Sequence, residues 1–174
     1  MKRNQAQTPP RKLLSLNAAR RWAAVARRHG LRLVATNGCF DLLHHGHVRY
    51  LQLARHLGDR LIVGLNADAS VRRLKGPGRP LVPARQRAAV LAALACVDAV
   101  VIFPQTRATQ FLRAVAPDIY VKGGDYRRAT LDPAEQAILA GKGTRVRLLP
   151  LVPGTSTTAL VRRIAKLAGK VARG

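Results

Sequence analysis

Acid is what this chain has least of. It carries 31 Lys+Arg against 8 Asp+Glu, a formal charge of +23 over 174 residues. Neither residues 1–40 nor residues 141–174 contain an acidic side chain. Aromatic residues are also scarce, at 4%. A basic shell attracts polyanions, but with so few aromatic rings the chain has few platforms for stacking bases. Nucleic-acid binding is therefore an alternative of another class, with little beyond charge behind it. The two cysteines, Cys39 and Cys96, lie far apart. They form neither a metal-type spacing nor a disulfide framework. No apolar run approaches the ~20 residues of a membrane helix. The basic start MKRNQAQTPPRK has no apolar stretch behind it, because Arg20, Arg21, Arg27 and Arg28 interrupt the next segment, so it does not read as a secretory signal. A cytoplasmic protein with no membrane partner is the expectation.

What is present is enough apolar material for a core, 48% of residues. The length suits one domain, expected over residues 13–168, with a helix over 13–30. Residues 1–12, broken by Pro9 and Pro10, read as a disordered basic tail, and residues 169–174 as a frayed end.

The pattern alternates. The periodicity predicts strands over 31–36, 60–66, 97–103, 118–124 and 144–151, as short apolar runs. Between them it predicts helices over 14–29, 47–57, from about 68, from Pro83 to about 94, and over 106–115, 132–141 and 156–168. Such βα spacing implies a parallel sheet covered on both faces. The expected fold is α/β: a Rossmann-like, doubly wound, five-stranded parallel sheet with helices on both faces. Ligands bind such sheets beyond the carboxyl ends of the strands, where strand order reverses.

The loop after the first of these strands carries the strongest chemical signal. Asn37-Gly38-Cys39-Phe40-Asp41 leaves the strand, and His44-His45-Gly46-His47 opens a helix. Gly38 allows backbone N–H groups to turn toward an anion, and the helix N-terminus adds partial positive charge. His44 and His47, three apart, share one side of the first turn. Gly46 leaves room for a phosphate between them. No carboxylate or thiolate partner stands at ligand spacing, so no protein-held metal is expected.

The segment GCFDLLHHGH (38–47) resembles the HxGH signature of the cytidylyltransferase-like nucleotidyltransferases. Three more segments are most similar to heptose 1-phosphate adenylyltransferases: residues 65–87, YVKGGDY (120–126) and GTSTTALVRRI (154–164). The resemblance covers about residues 33–165. It implies transfer of AMP from ATP to a sugar 1-phosphate, with Mg²⁺ accompanying ATP and a possible homo-oligomer. It implies catalytic roles for His44, His47 and Lys75. Asn37, Gly38, Cys39, Phe40, Gly46, Lys122, Gly123, Ser156, Thr157 and Thr158 would bind nucleotide, and Asp41, Arg79, Arg87 and Asp125 would bind substrate. Ser156 could instead serve as a helix cap. Glycerol-3-phosphate cytidylyltransferases usually carry an arginine just before the ST(S/T) segment. Leu151, Val152 and Pro153 stand there instead, which weakens that alternative; a flavin adenylyltransferase is another. The heptose enzymes are often fused to a sugar kinase, and the 1-phosphate is expected to come from another polypeptide.

Overall fold

The structure is a computed structural model and describes residues 12–123, 131–150, 152 and 154–171. Residues 1–11 of the expected tail (1–12), residues 172–174 of the expected frayed end (169–174) and Asp125 lie outside the described residues, and residues 169–171 continue the last helix.

Six parallel strands form one sheet: β1 (Leu13–Leu14), β2 (Leu33–Gly38), β3 (Arg60–Asn66), β4 (Ala99–Phe103), β5 (Ile119–Gly123) and β6 (Arg145–Leu149), in the order β1-β4-β3-β2-β5-β6. The five-strand expectation is thus one short. β1 has two residues, too few to show any alternation. It is identified by pairing with β4 and by the Val100 N–H donating to the Lys12 carbonyl at 2.8 Å. The central strands are buried on both faces, which is why they read as unbroken apolar runs. β6 lies at an edge and exposes its arginines.

Helices cover both faces. On one side lie α1 (Leu16–Arg28), α5 (Thr109–Val115) and α6 (Pro133–Gly141), packed on Leu33, Ala35, Ile62 and Tyr120. Ala19 and Ala23 of α1 are fully buried, and small residues there let the helix approach the sheet closely. Ser15 caps α1, accepting from the Ala18 N–H at 3.2 Å. On the other side lie α2 (His45–Arg55) and α4 (Ala84–Ala93), packed on Val34, Leu61, Val63 and Val121. α3 (Asp68–Lys75) follows β3, and α7 (Thr157–Val171) is largely exposed.

From β2 the chain passes to β3 and β4 on one side, and β5 then returns to the other side of β2. Strand order therefore reverses between β2 and β5, the place where such a sheet opens a crevice at its carboxyl edge.

Candidate active site

A cleft of about 1420 Å³ opens at that edge. Asn37, Gly38, Cys39, Phe40 and Asp41 line it from the end of β2, His44, Gly46 and His47 from α2, and Lys75 and Arg79 from α3 and its loop. Lys122 and Gly123 enter from β5, and Ser156, Thr157 and Thr158 from the start of α7.

α2 begins at His44, whose side chain makes no capping bond. Its first N–H groups therefore need partners from outside the helix. The imidazoles of His44 and His47 lie against each other with centroids 3.9 Å apart and planes tilted by 31°. Phe40 closes the other side of His47 at 5.3 Å. Burial, with His44 adding to it, pushes His47 down to about 4. His44 is lowered too, first by burial and then by His45. Burial thus favours the uncharged form of both rings. Nδ1 of each is buried without a hydrogen-bond partner. Buried polar atoms are ordinarily paired, so these two are exceptions among the described residues.

The glycines work differently from the sequence expectation. Gly38 keeps strand geometry, and the left-handed residue of the loop is Phe40, at φ 42°. A side chain on Gly38 would come within 3.1 Å of the Phe40 ring. At Gly46 a Cβ would collide with Thr155 Oγ1 and come within 3.1 Å of the His44 ring. That space is closed by the segment before α7, which the Thr157 hydroxyl also ties to the Leu42 carbonyl at 3.3 Å.

Two expected substrate contacts, Asp41 and Arg87, are buried, and a third expected contact, Ser156, stays exposed on the cleft wall while serving as a cap. Asp41 is 8% exposed; it accepts from Arg79 Nη1 at 2.8 Å and from the N–H groups of Leu81 and Val82 at 2.8 and 3.1 Å. The pair pins the loop after α3 onto the histidine loop. Arg87 is absent from the cleft wall and 1% exposed. Its guanidinium donates to the carbonyls of Cys39, Val82 and Asn66 and to Asp68 Oδ1, the last at 2.7 Å. It braces three cleft loops from below. Ser156 Oγ accepts from the Ala159 N–H at 3.0 Å, so the cap is realised. Lys75 is exposed at the end of α3, facing the cleft. Burial raises the Cys39 thiol, keeping it protonated.

Tyr120 and Thr155 were not anticipated. Tyr120 stands two residues before Lys122 on β5, and that spacing places both on one face. Tyr120 Oη and Lys122 Nζ both donate to Asn37 Oδ1, the latter at 2.7 Å. Behind the histidines, Thr36 Oγ1 meets Tyr50 Oη at 2.7 Å, and both reach the Val121 carbonyl at 3.0 Å. This buried triangle fixes α2 against β2 and β5.

Among the described residues no group of three or more His, Cys, Asp or Glu converges as a metal site. The carboxylates of the cleft are engaged: Asp41 as above, Asp132 by Arg107 and the start of α6, and Glu135 by the Ala108 N–H at 2.7 Å. These residues do not fit as direct magnesium ligands. An ion accompanying a triphosphate would be held by phosphate and water oxygens.

The family model described as cytidylyltransferase-like matches residues 35–163. The chain belongs to the cytidylyltransferase-like family. By that membership it is a nucleotidyltransferase. It is 53% identical over 140 residues to the bifunctional protein HldE of Syntrophotalea carbinolica, covering 80% of this chain and 28% of that one. It is 55% identical over 141 residues to HldE of Alkalilimnicola ehrlichii, covering 81% and 29%. The chain therefore spans under a third of these relatives. A lipopolysaccharide core biosynthesis protein from Thermoplasma volcanium superposes with a TM-score of 0.58 at 31% identity, covering 71% of this chain and 98% of that one. A pantoate-beta-alanine ligase from Francisella tularensis, 14% identical, covers 79% of this chain and 67% of that one with a TM-score of 0.53 and shares the fold alone. Among the described residues no helix is long and apolar enough to cross a membrane.

Proposed function

We propose that this chain transfers AMP from ATP to the phosphate of D-glycero-β-D-manno-heptose 1-phosphate, giving ADP-heptose and pyrophosphate. The single observation that carries the reading is the pair of adjoining imidazoles with unpartnered Nδ1 atoms at the uncapped start of α2. Identity near one half to the HldE proteins supports heptose 1-phosphate as acceptor, and likeness to a lipopolysaccharide core biosynthesis protein agrees with it. Residues 13–168 act as one transferase domain in this reading.

The chemistry follows from the cleft. An oxygen of the sugar phosphate attacks the α-phosphorus of ATP. The bond from that phosphorus to the bridging oxygen of the β-phosphate breaks, and its electron pair leaves with pyrophosphate. No side chain becomes covalently attached. The protein supplies position and charge. His44 and His47 donate hydrogen bonds to oxygens that gain negative charge. The first N–H groups of α2 add their dipole. Lys75 is the mobile cation, long enough to follow the leaving group. Lys122, on β5 and 6% exposed, brings its Nζ to the cleft with Asn37 as partner. Magnesium accompanying ATP would supply further charge neutralisation.

Asn37, Gly38, Cys39, Phe40, Gly46, Gly123, Thr157 and Thr158 form the nucleotide walls in this reading. Asp41, Arg79 and Arg87 keep those walls in place. The test is pyrophosphate release with ATP, CTP, GTP and UTP against heptose and hexose 1-phosphates. ATP with the heptose phosphate should give the highest rate. Higher release with CTP and glycerol 3-phosphate would replace this reading with the cytidylyltransferase one.

A further inference from the structure

The amide of Asn37 is oriented by the two donors that meet it. It stands near the end of β2, on the face shared with Leu33 and Ala35, next to β5. Two donors converge on its Oδ1: the fully buried Tyr120 hydroxyl and the Lys122 ammonium, the latter at 2.7 Å. An ammonium has no lone pair and can only donate. The atom facing it must be the amide oxygen, which settles the flip that is otherwise a matter of assignment. Nδ2 is then the other end of the amide. Asn37 lines the cleft, and among the described residues its Nδ2 has no hydrogen-bond partner.

Nδ2 is open to solvent rather than sealed, so an acceptor brought by a ligand can take the place of water there. The cleft carboxylates Asp41, Asp132 and Glu135 are each engaged elsewhere. The other charged or imidazole side chains on the wall, His44, His47, Lys75, Arg79, Arg107 and Lys122, are donors or cations. That surrounding selects an anionic oxygen. We propose that Asn37 Nδ2 donates to a phosphoryl oxygen of a bound substrate, and that Tyr120 and Lys122 are the groups that hold the amide in that sense. The proposal rests on the adenylyltransferase reading and adds to it a specificity contact and a positioning residue, Tyr120. An amide clamped by two donors costs no reorganisation when charge develops in front of it. The phosphoryl oxygen has two possible sources, the triphosphate of the nucleotide and the phosphate of the acceptor sugar.

Asn37→Asp keeps the shape and both acceptor bonds while removing the N–H donors and adding a charge. Asn37→Ala removes the donors without adding a charge. Tyr120→Phe removes one of the two clamps. Calorimetry with MgATP gives one arm, and the KM for D-glycero-β-D-manno-heptose 1-phosphate gives the other, with thermal melting as the fold check. Either the MgATP Kd or the sugar phosphate KM should rise about tenfold or more in both Asn37 variants, and the parameter that moves names the source. Tyr120→Phe should move the same parameter by a smaller factor, about three- to tenfold, and leave the other alone. An Asn37→Ala protein that melts normally, with both constants within about twofold of the parent, overturns the proposal. So does a rise confined to Asn37→Asp, because added charge alone explains it. Should the parent release no pyrophosphate with the heptose phosphate, the acceptor assignment fails. The MgATP arm then decides the role of Asn37 by itself, and an unchanged Kd rejects it.

Discussion

The two edges of the sheet are both basic, yet they are built to opposite ends. At the amino edge a recess of about 620 Å³ is lined by Arg27, Arg32, Lys142 and Arg145. Two of its side chains are answered by the backbone: Arg27 Nη1 donates to the carbonyls of Val115 and Ala116 at 2.8 and 3.2 Å, and Asp118 accepts from the Leu33 N–H at 2.7 Å, while Arg32, Lys142 and Arg145 stand exposed to solvent. At the carboxyl edge the positions of the polar groups are fixed just as firmly, but their outer atoms are left over. His44 and His47 present Nδ1 with no partner, and Asn37 presents Nδ2. Positive charge is common to both edges and so distinguishes nothing. Unfilled hydrogen-bonding capacity, held rigid from behind, is what separates a site from a charged surface in this protein.

The largest way to break the contrast is to remove the brace under the carboxyl edge. Arg87→Met leaves the carbonyls of Cys39, Val82 and Asn66 and the Asp68 carboxylate without their donor. It should cost about 3 kcal/mol or more in denaturant unfolding and lower nucleotide affinity with it. Unfolding unchanged within error would show that the loops hold themselves. Next in size is His47→Ala, which should lower kcat by about 10²–10³ while the melting transition survives. A drop of less than about threefold would take His47 out of the reaction.

Acidification gives a smaller, signed effect. The folded protein holds His47 at about 4, below the ordinary 6.5 of an unfolded chain. Between those values the unfolded state binds more protons, so stability contributed by His47 is present above about 6.5 and is lost as pH falls toward 4. The melting temperature should decline across that window, and the slope should be shallower in His47→Gln. Equal slopes in the two proteins would mean that other groups carry the transition. The smallest effect is expected at the amino edge: Arg27→Ala should lose about 1 kcal/mol of stability with kcat and KM unchanged. A KM shift there would blur the distinction between the edges.

Much of this was legible in the residues. β3 runs over Arg60–Asn66, the stretch expected for it, because a strand buried on both faces writes its length as an apolar run. The histidine loop showed itself because strand, glycine and helix start fall within a dozen residues. β1 was hidden, since two residues have no period, and α1 accordingly starts at Leu16. The destinations of charged side chains were hidden as well. Arg79 and Arg87 look alike in sequence, yet one lies over Asp41 at the cleft mouth and the other is sealed beneath it. Which carbonyls meet an arginine depends on how three loops fold over one another, and no local pattern records that. Gly46 is similar: its need for a missing side chain comes from Thr155, more than a hundred residues away.

The most direct test tracks the imidazole protons of His44 and His47 by NMR as pH is varied, with and without saturating MgATP. A polyphosphate seated against the rings should raise the His47 titration from about 4 toward neutrality and shift the Asn37 side-chain amide, leaving the Arg27 and Arg32 guanidinium signals in place. If saturating MgATP left both histidines unmoved and shifted the arginines of the amino edge instead, the polyphosphate would sit at the wrong end of the sheet for this account.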